Sequence, residues 1–210
     1  AMGLAYFGDK NVAVGHSALQ QAGGSSDGTG GDNNVAIGYE AAKATDTGSN
    51  NIAVGYQSLE SNTTGEQNVS FGKSLYSNTT GSNNISAGYF ALAGNTTASN
   101  NVAIGAYSMM TNSTGANNVA IGYDALRANT TGKESVALGY RALTALTTND
   151  GCTALGFEAG LKTTGGKNTL LGSEACKELT SGISNVAIGW KTGDNLTTGD
   201  NNIIIGDTAT

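Results

Sequence analysis

The chain has 210 residues, of which 38% are hydrophobic and only 12% charged, with 32 glycines, no proline and a formal net charge of −6. An average globular chain carries about 45–50% apolar and about 25% charged residues, so small polar residues fill the difference. Low charge argues against a self-repelling disordered chain. Scattered single Lys and Arg offer nucleic acid no basic footprint, and no apolar run approaches the roughly 18 residues that a membrane-spanning helix requires.

Along the chain the dominant signal is self-similarity, the mark of a repeat architecture. Segments of the Val-Ala-Ile-Gly type close on Gly15, Gly38, Gly55, Gly72, Gly88, Gly105, Gly122, Gly139, Gly156, Gly172, Gly189 and Gly206. The first spacing is 23 residues, and every later one is 16 or 17. The long first spacing holds a Gly/Ser-rich insertion at 22–31, which reads as a loop bulging from a regular array and is a candidate contact loop, because insertions in arrays often lie on a binding face. Four residues before the repeat Gly stands Asn, replaced only by Ser135 and Cys152. After the Gly comes a second apolar pair, as in Ser58-Leu59, Ala91-Leu92 and Ala125-Leu126, and then the corner Asn-Thr-Thr-Gly, complete at 62–65, 78–81 and 129–132.

Asn-Val-Ala-Ile-Gly-Tyr alternates β-branched with small residues, the pattern of a strand with unequal faces. Val35, Ile37 and Tyr39 share one face, Ala36 and Gly38 the other. The Asn/Gly-rich segments turn the chain, since both residues tolerate left-handed dihedrals. A 17-residue unit is therefore expected to hold two short strands and two corners, forming one coil of an all-β parallel solenoid. One coil cannot bury its own faces, so about twelve must stack with like residues in register, giving a rod on the order of 55–60 Å long. In-register ladders of identical side chains add stability. The small residues leave a Val/Ile flank in need of cover, and a cyclic homo-oligomer would supply it without an open edge. Which face points inward is left open by the sequence. Residues 1–210 read as one array. Cys152 and Cys176, 24 residues apart and out of phase with the repeat, are not expected to pair.

Asn-Asn-Val-Ala-Ile-Gly at 33–38 and 117–122, Asn-Asn-Ile-Ala-Val-Gly at 50–55 and Ser-Val-Ala-Leu-Gly at 135–139 resemble the head repeats of trimeric autotransporter adhesins. Similar repeats with the longer Tyr-x-Ala-Leu-x-x-Asn-Thr-Thr-Gly extension occur in bacteriophage tail fibres and other prokaryotic trimeric fibre proteins. The resemblance runs from about residue 9 to 206. It implies a left-handed parallel β-roll, a homotrimer with three chains side by side, and an extracellular fibre on a bacterial cell or virion that attaches to a cell-surface glycan, a protein receptor or matrix. The departure is the unit length, which is 17 here against the shorter repeat usual in the autotransporter heads. With no stalk or anchor accompanying the repeats, the array is expected to be a segment of a longer fibre protein.

Catalysis finds little support. The only His, His16, shares its phase with Tyr39, Tyr56, Tyr89, Tyr123, Tyr140, Phe157 and Trp190, and Gly15-His16-Ser17-Ala18-Leu19 departs from a nucleophile elbow at its fifth residue. Gly72-Lys73-Ser74 lacks the upstream Gly of a phosphate loop, Gln67 standing in its place. Asp9, Asp32, Glu66, Asp150 and Asp200 stand six before the repeat Gly in five units only, too irregular for a metal ion in every coil, and zinc has too few His and Cys. No catalytic, cofactor-binding or metal-binding residue is therefore assigned.

Two columns remain as recognition candidates. Tyr39, Tyr56, Tyr89, Tyr123, Tyr140 and Trp190 would stack against sugar rings, or else against each other to seal an oligomer seam. The Thr pairs, among them Thr63-Thr64, Thr79-Thr80, Thr130-Thr131 and Thr163-Thr164, resemble the Thr arrays of ice-binding solenoids. Adjacent Thr in a strand point to opposite faces, so a turn role is the better reading. The Asn-x-Ser/Thr sequences at Asn62, Asn78, Asn95, Asn112 and Asn129 fall on the same corner and are explained by turn chemistry without glycosylation. The resulting expectation is a non-catalytic adhesive or structural fibre segment. The alternatives are an ice-binding solenoid and a fibre-borne glycan depolymerase.

Overall fold

The structure, a computed structural model, describes residues 8–21 and 30–207, so all of the 22–31 insertion except Gly30 and Gly31 lies outside the described residues. The chain is a β-solenoid. Twelve three-residue strands, β1 (Val12–Val14), β2 (Val35–Ile37), β3 (Ile52–Val54), β4 (Val69–Phe71), β5 (Ile85–Ala87), β6 (Val102–Ile104), β7 (Val119–Ile121), β8 (Val136–Leu138), β9 (Thr153–Leu155), β10 (Thr169–Leu171), β11 (Val186–Ile188) and β12 (Ile203–Ile205), form one parallel sheet in sequence order. Register follows the repeat: Val102 pairs with Val119, Ala103 with Ala120 and Ile104 with Ile121. Among the described residues there is no helix.

Each coil has one strand, not the expected two. The Tyr-x-Ala-Leu segment is instead a run of turns in which residues two and four places after the repeat Gly adopt left-handed dihedrals, as at Gln57 (φ 51°) and Leu59 (φ 53°) or Asp124 (φ 54°) and Leu126 (φ 52°). The physical reason lies in the Ala-Leu pair. Both Ala125 and Leu126 are fully buried, whereas successive side chains of a strand point to opposite faces. Turning two neighbours inward requires the backbone to leave the β region. Left-handed non-Gly residues are strained by about 1–3 kcal/mol each. The strain is held by bonds to both neighbouring coils: the Gln57 N–H donates back to the Tyr39 carbonyl at 2.8 Å, and Leu59 and Ser61 donate forward to Ser74 and Tyr76 at 3.1 and 3.2 Å.

The structure also settles the inward face. The central strand residue is buried (Ala36, Ala53, Ala103, Ala120, Ala137, Ala154 and Ala187, with Ser70 and Ser86 in two coils), and it packs against the Leu of the turn run. The interior is narrow, so a change of size at one position is matched at the other. Where the Leu column holds Gly160, a Cβ there would lie 2.5 Å from Leu170, which replaces Ala at the centre of β10. Where it holds Gly193, a Cβ would lie 3.3 Å from the Ile204 side chain of β12. Such volume exchange is what a close-packed interior demands.

Two asparagine ladders hold the corners. In the first, four residues before the repeat Gly, Asn51 accepts the Asn68 N–H at 2.9 Å through Oδ1 and donates Nδ2 to the Gly65 carbonyl at 2.9 Å, and its neighbours repeat the arrangement. Ser135 and Cys152 interrupt it; there the Cys152 N–H donates to Ser135 Oγ at 3.2 Å. In the second, Asn78, Asn95, Asn112 and Asn129 each donate Nδ2 to the Oδ1 of the Asn one coil earlier. This ladder ends where Leu146 takes the Asn place, leaving Asn129 Oδ1 buried without a partner. Cys152 and Cys176 are both buried and free.

Candidate functional site

With the small residues turned inward, the strand's other face is left bare. Val12, Val14, Ile37, Ile52, Phe71, Ile85, Ile104, Ile121, Leu155 and Ile188 are exposed along one side of the rod, and the aromatic column after the repeat Gly extends that side. Isolated exposed apolar residues are ordinary, but contiguous patches beyond a few hundred Å² mark interaction surfaces. Here the flank is contiguous because strand residues of the same phase sit one above another in every coil.

The six aromatic residues singled out in the sequence lie on this flank, about half exposed: Tyr39, Tyr56, Tyr89, Tyr123, Tyr140 and Trp190. They form a column, not a pocket. His16, Tyr39 and Tyr56 stack with centroids 5.3 and 5.4 Å apart and planes 11° apart, and Tyr123, Tyr140 and Phe157 stack at 5.5 and 5.3 Å. Stacking of this kind turns ring faces toward one another and leaves edges outward. A sugar ring that stacks needs a free face, so the interior rungs are poorly suited to it. The column breaks at Lys73, where one residue is missing after Gly72; its ammonium fills the rung, 5.3, 5.1 and 5.2 Å from the Tyr56, Tyr76 and Phe90 centroids. Ala106 leaves another rung short, and Tyr107 covers it edge-on at 5.8 Å from Tyr89 and Tyr123. Sequence reading missed Tyr107, although an aromatic standing one place late beside an Ala is a visible signal.

The remaining candidates have structural partners. His16 occupies an aromatic rung, and the adjacent Ser17 hydroxyl lies within hydrogen-bond reach of its Nδ1 at 3.1 Å. Burial pushes the Cys152 thiol up, and the Cys176 thiol up to about 11, so neither is an activated nucleophile. Asp32, Asp150 and Asp200 bridge coils by accepting the backbone N–H of Asp9, Lys133 and Ile183. Ser49, Ser82 and Ser99 do the same with hydroxyls, the first two for Asp32 and Glu66 and the last for Ser82. That role explains why this phase accepts Asp or Ser alike. Among the described residues no three His, Cys, Asp or Glu converge as metal ligands.

The Thr pairs divide. The first hydroxyl donates to a carbonyl of the next coil, as Thr63 to Thr79 at 3.0 Å and Thr79 to Thr96 at 2.9 Å. The second is exposed at Thr64, Thr80, Thr97, Thr114, Thr131 and Thr148, giving one column and not a flat two-row array. Thr163-Thr164 is displaced by one phase: Thr163 sits buried in the Asn place and Thr164 takes the bridging role. Asn62, Asn78, Asn95, Asn112 and Asn129 are buried with their amides engaged in the second ladder or its corner.

A charged ladder, not anticipated from the sequence, lines the turn run. Glu158, only 9% exposed at its side chain, takes Arg141 at 3.0 Å from the coil before and Lys177 at 2.6 Å from the coil after. The Lys177 bond, with the nearby Arg141 charge, holds the Glu158 carboxyl below its usual range against the opposing effect of burial, and raises Lys177 in turn. Its signal was one coil apart, with Arg141, Glu158, Glu174 and Lys191 sharing a phase.

Comparison with family models, with curated proteins and with solved structures returned no match to this chain.

Proposed function

We propose that this chain is a non-catalytic structural and adhesive segment of a trimeric extracellular fibre, borne on a bacterial cell or a virion. Three left-handed rolls lie side by side with their apolar flanks together. One observation carries the reading. The coil interior is already filled by the chain's own Ala, Ser and Leu, so nothing among the described residues covers the exposed Val/Ile and aromatic flank. Repetition favours sister copies, because a flank uniform along its length meets its counterpart in any related copy, and a closed ring leaves no sticky surface. A rigid rod holding three identical outer surfaces would attach by avidity, without strong individual contacts.

The test is the solution mass by light scattering, for the full chain and for Ile104→Lys/Ile121→Lys. Both positions are exposed, so the double variant keeps the coil interior. The expected result is three chain masses for the parent and a shift toward one for the variant. A parent that stays monomeric at about 100 μM, far above the dissociation constant of a stable assembly, would refute the trimer. Retention of whole cells or glycan on immobilised trimer then tests adhesion.

A further inference from the structure

A perfectly periodic rod offers the same weak surface at every coil, so a selective small-molecule site needs a break in the period. Three breaks coincide at one corner. Asn149 stands where neighbouring coils have the corner glycines Gly132 and Gly165, the Thr164-Gly165 corner is one residue short, and Gly166 removes the side chain between Asp150 and Ile183 in the bridging column. They open a cleft of about 260 Å³ lined by Asn149, Asp150, Gly166, Lys167 and Ile183. That is slightly below the range of roughly 300–1,000 Å³ of pockets for drug-sized ligands, and suits a single sugar unit.

The groups around the cleft are incompletely used. Asp150 accepts the Lys133 N–H through Oδ1 at 2.7 Å, and its second oxygen has no partner among the described residues. Lys167 forms no ion pair among them, in contrast to Lys43, Lys162, Lys177 and Lys191. Asn149 donates Nδ2 to the Thr164 carbonyl, and its Oδ1 has no partner among the described residues. Ile183 adds an exposed apolar wall. The cleft thus combines a cation, two oxygen acceptors and a hydrocarbon surface.

We propose that this cleft binds one acidic pyranose, a uronic or sialic acid residue. Its carboxylate would pair with Lys167, its hydroxyls would donate to Asp150 and Asn149, and its ring C–H face would lie on Ile183. The site is formed by one chain and goes beyond the attachment reading, since it stands whether or not copies associate.

The probes are sodium glucuronate and N-acetylneuraminate, with glucose and alanine as neutral and zwitterionic controls, titrated into the full chain by saturation-transfer NMR. An open cleft of this size is expected to bind weakly, with Kd on the order of 1–10 mM, and at least about tenfold more tightly for one of the acids than for glucose. Three variants are compared, each first shown by circular dichroism to keep the parent fold. Lys167→Asn removes the cation and supplies the residue that other coils use at this left-handed position, such as Asn100 and Asn117. Asp150→Asn keeps the Oδ1 acceptor for Lys133. Gly166→Ala places a methyl 3.0 Å from the Asp150 carbonyl and 3.3 Å from Asn149 Cβ, inside the cleft. Lys167→Asn should abolish the preference for the acid, and each of the others should weaken binding at least about fivefold. Absence of saturable binding by either acid, equal binding of glucose, preferred binding of alanine, or variants that bind like the parent would each overturn the assignment. The solution mass is read separately, so failure here is distinct from failure of the trimer.

Discussion

Removing one rung of the first asparagine ladder tests whether side-chain ladders, and not the short strands alone, hold the coils together. Asn101 sits in the middle of an unbroken stretch, fully buried. Its Nδ2 donates to the Gly115 carbonyl at 2.9 Å, and its Oδ1 accepts the Asn118 N–H at 2.9 Å. In Asn101→Ala the two losses differ. The Gly115 carbonyl keeps the Asn112 amide at 2.9 Å and is not orphaned, so that bond is worth about 1 kcal/mol net. The Asn118 N–H is buried and loses its only acceptor, a desolvation cost of about 1–3 kcal/mol. The expected destabilisation is about 2–4 kcal/mol. Asn101→Ser should cost roughly half as much, since the serine at 135 shows that a hydroxyl can accept the N–H of the next coil, though at the longer 3.2 Å. Thr114→Ala, on the exposed corner, should change stability by less than about 0.5 kcal/mol. Urea unfolding followed by circular dichroism measures all three, with the slope checked for constancy because repeat arrays can unfold in blocks. An Asn101→Ala loss no greater than that of Thr114→Ala would refute the ladder argument.

Two further outcomes follow from the same geometry. A Cβ at Gly122 (φ +137°) would lie 2.3 Å from the Gly139 carbonyl, whereas at Gly206 (φ +148°) nothing lies within 4 Å; Gly122→Ala should therefore cost well over 3 kcal/mol or abolish folding, and Gly206→Ala only the dihedral strain of about 1–3 kcal/mol, read from thermal midpoints. Glu158 has a carboxyl held below its ordinary value of 4.5 by the Lys177 bond, so its contribution is present above that value and lost as pH falls through the lower folded value; the stability gap between parent and Glu158→Gln should be full at pH 7 and vanish in acid titration, and a gap unchanged down to about pH 2 would contradict the assignment.

How much could be read in advance depended on how often a feature was repeated. The phase of the coil was legible because twelve copies of the repeat glycine stand at near-constant spacing, and its cause is now visible. At φ +137 to +139° and with the next coil's carbonyl 2.2–2.3 Å from where a Cβ would stand at Gly38, Gly122 and Gly139, no side chain fits. The turn run was misread as a second strand, although Ala-Leu held the warning, since two consecutive buried apolar residues contradict a strand's alternation. What hid it was the residue type. Leu59, Leu92 and Leu126 adopt left-handed dihedrals at φ 51–53° that intrinsic preference would assign to Gly or Asn, and their burial together with hydrogen bonds within and between coils holds them there. The charged ladder was invisible to any window shorter than one coil, because Arg141 and Lys177 stand 17 and 19 residues from Glu158 in sequence and meet it only after stacking.

The same distinction bears on where selectivity can reside in such a rod. A strictly periodic column gives each rung neighbours like its own, so its surface chemistry is used up between rungs. Ring faces meet ring faces at 5.3–5.5 Å, bridging hydroxyls meet carbonyls, and amides meet amides. The repeat therefore spends its side chains on rigidity and leaves outward one Thr column and the apolar flank, and the flank suits association with copies of itself. Unused hydrogen-bonding groups appear where the period fails, as at Asn129 below Leu146 and at Asp150 and Lys167 beside Gly166. Restoring the period should remove them: Leu146→Asn gives Asn129 Oδ1 a donor, and stability should rise by about 1 kcal/mol if the amide's bonds outweigh the lost leucine packing. A fall of the 2–5 kcal/mol typical of a truncated core leucine would show that packing, not the ladder, dominates at that corner.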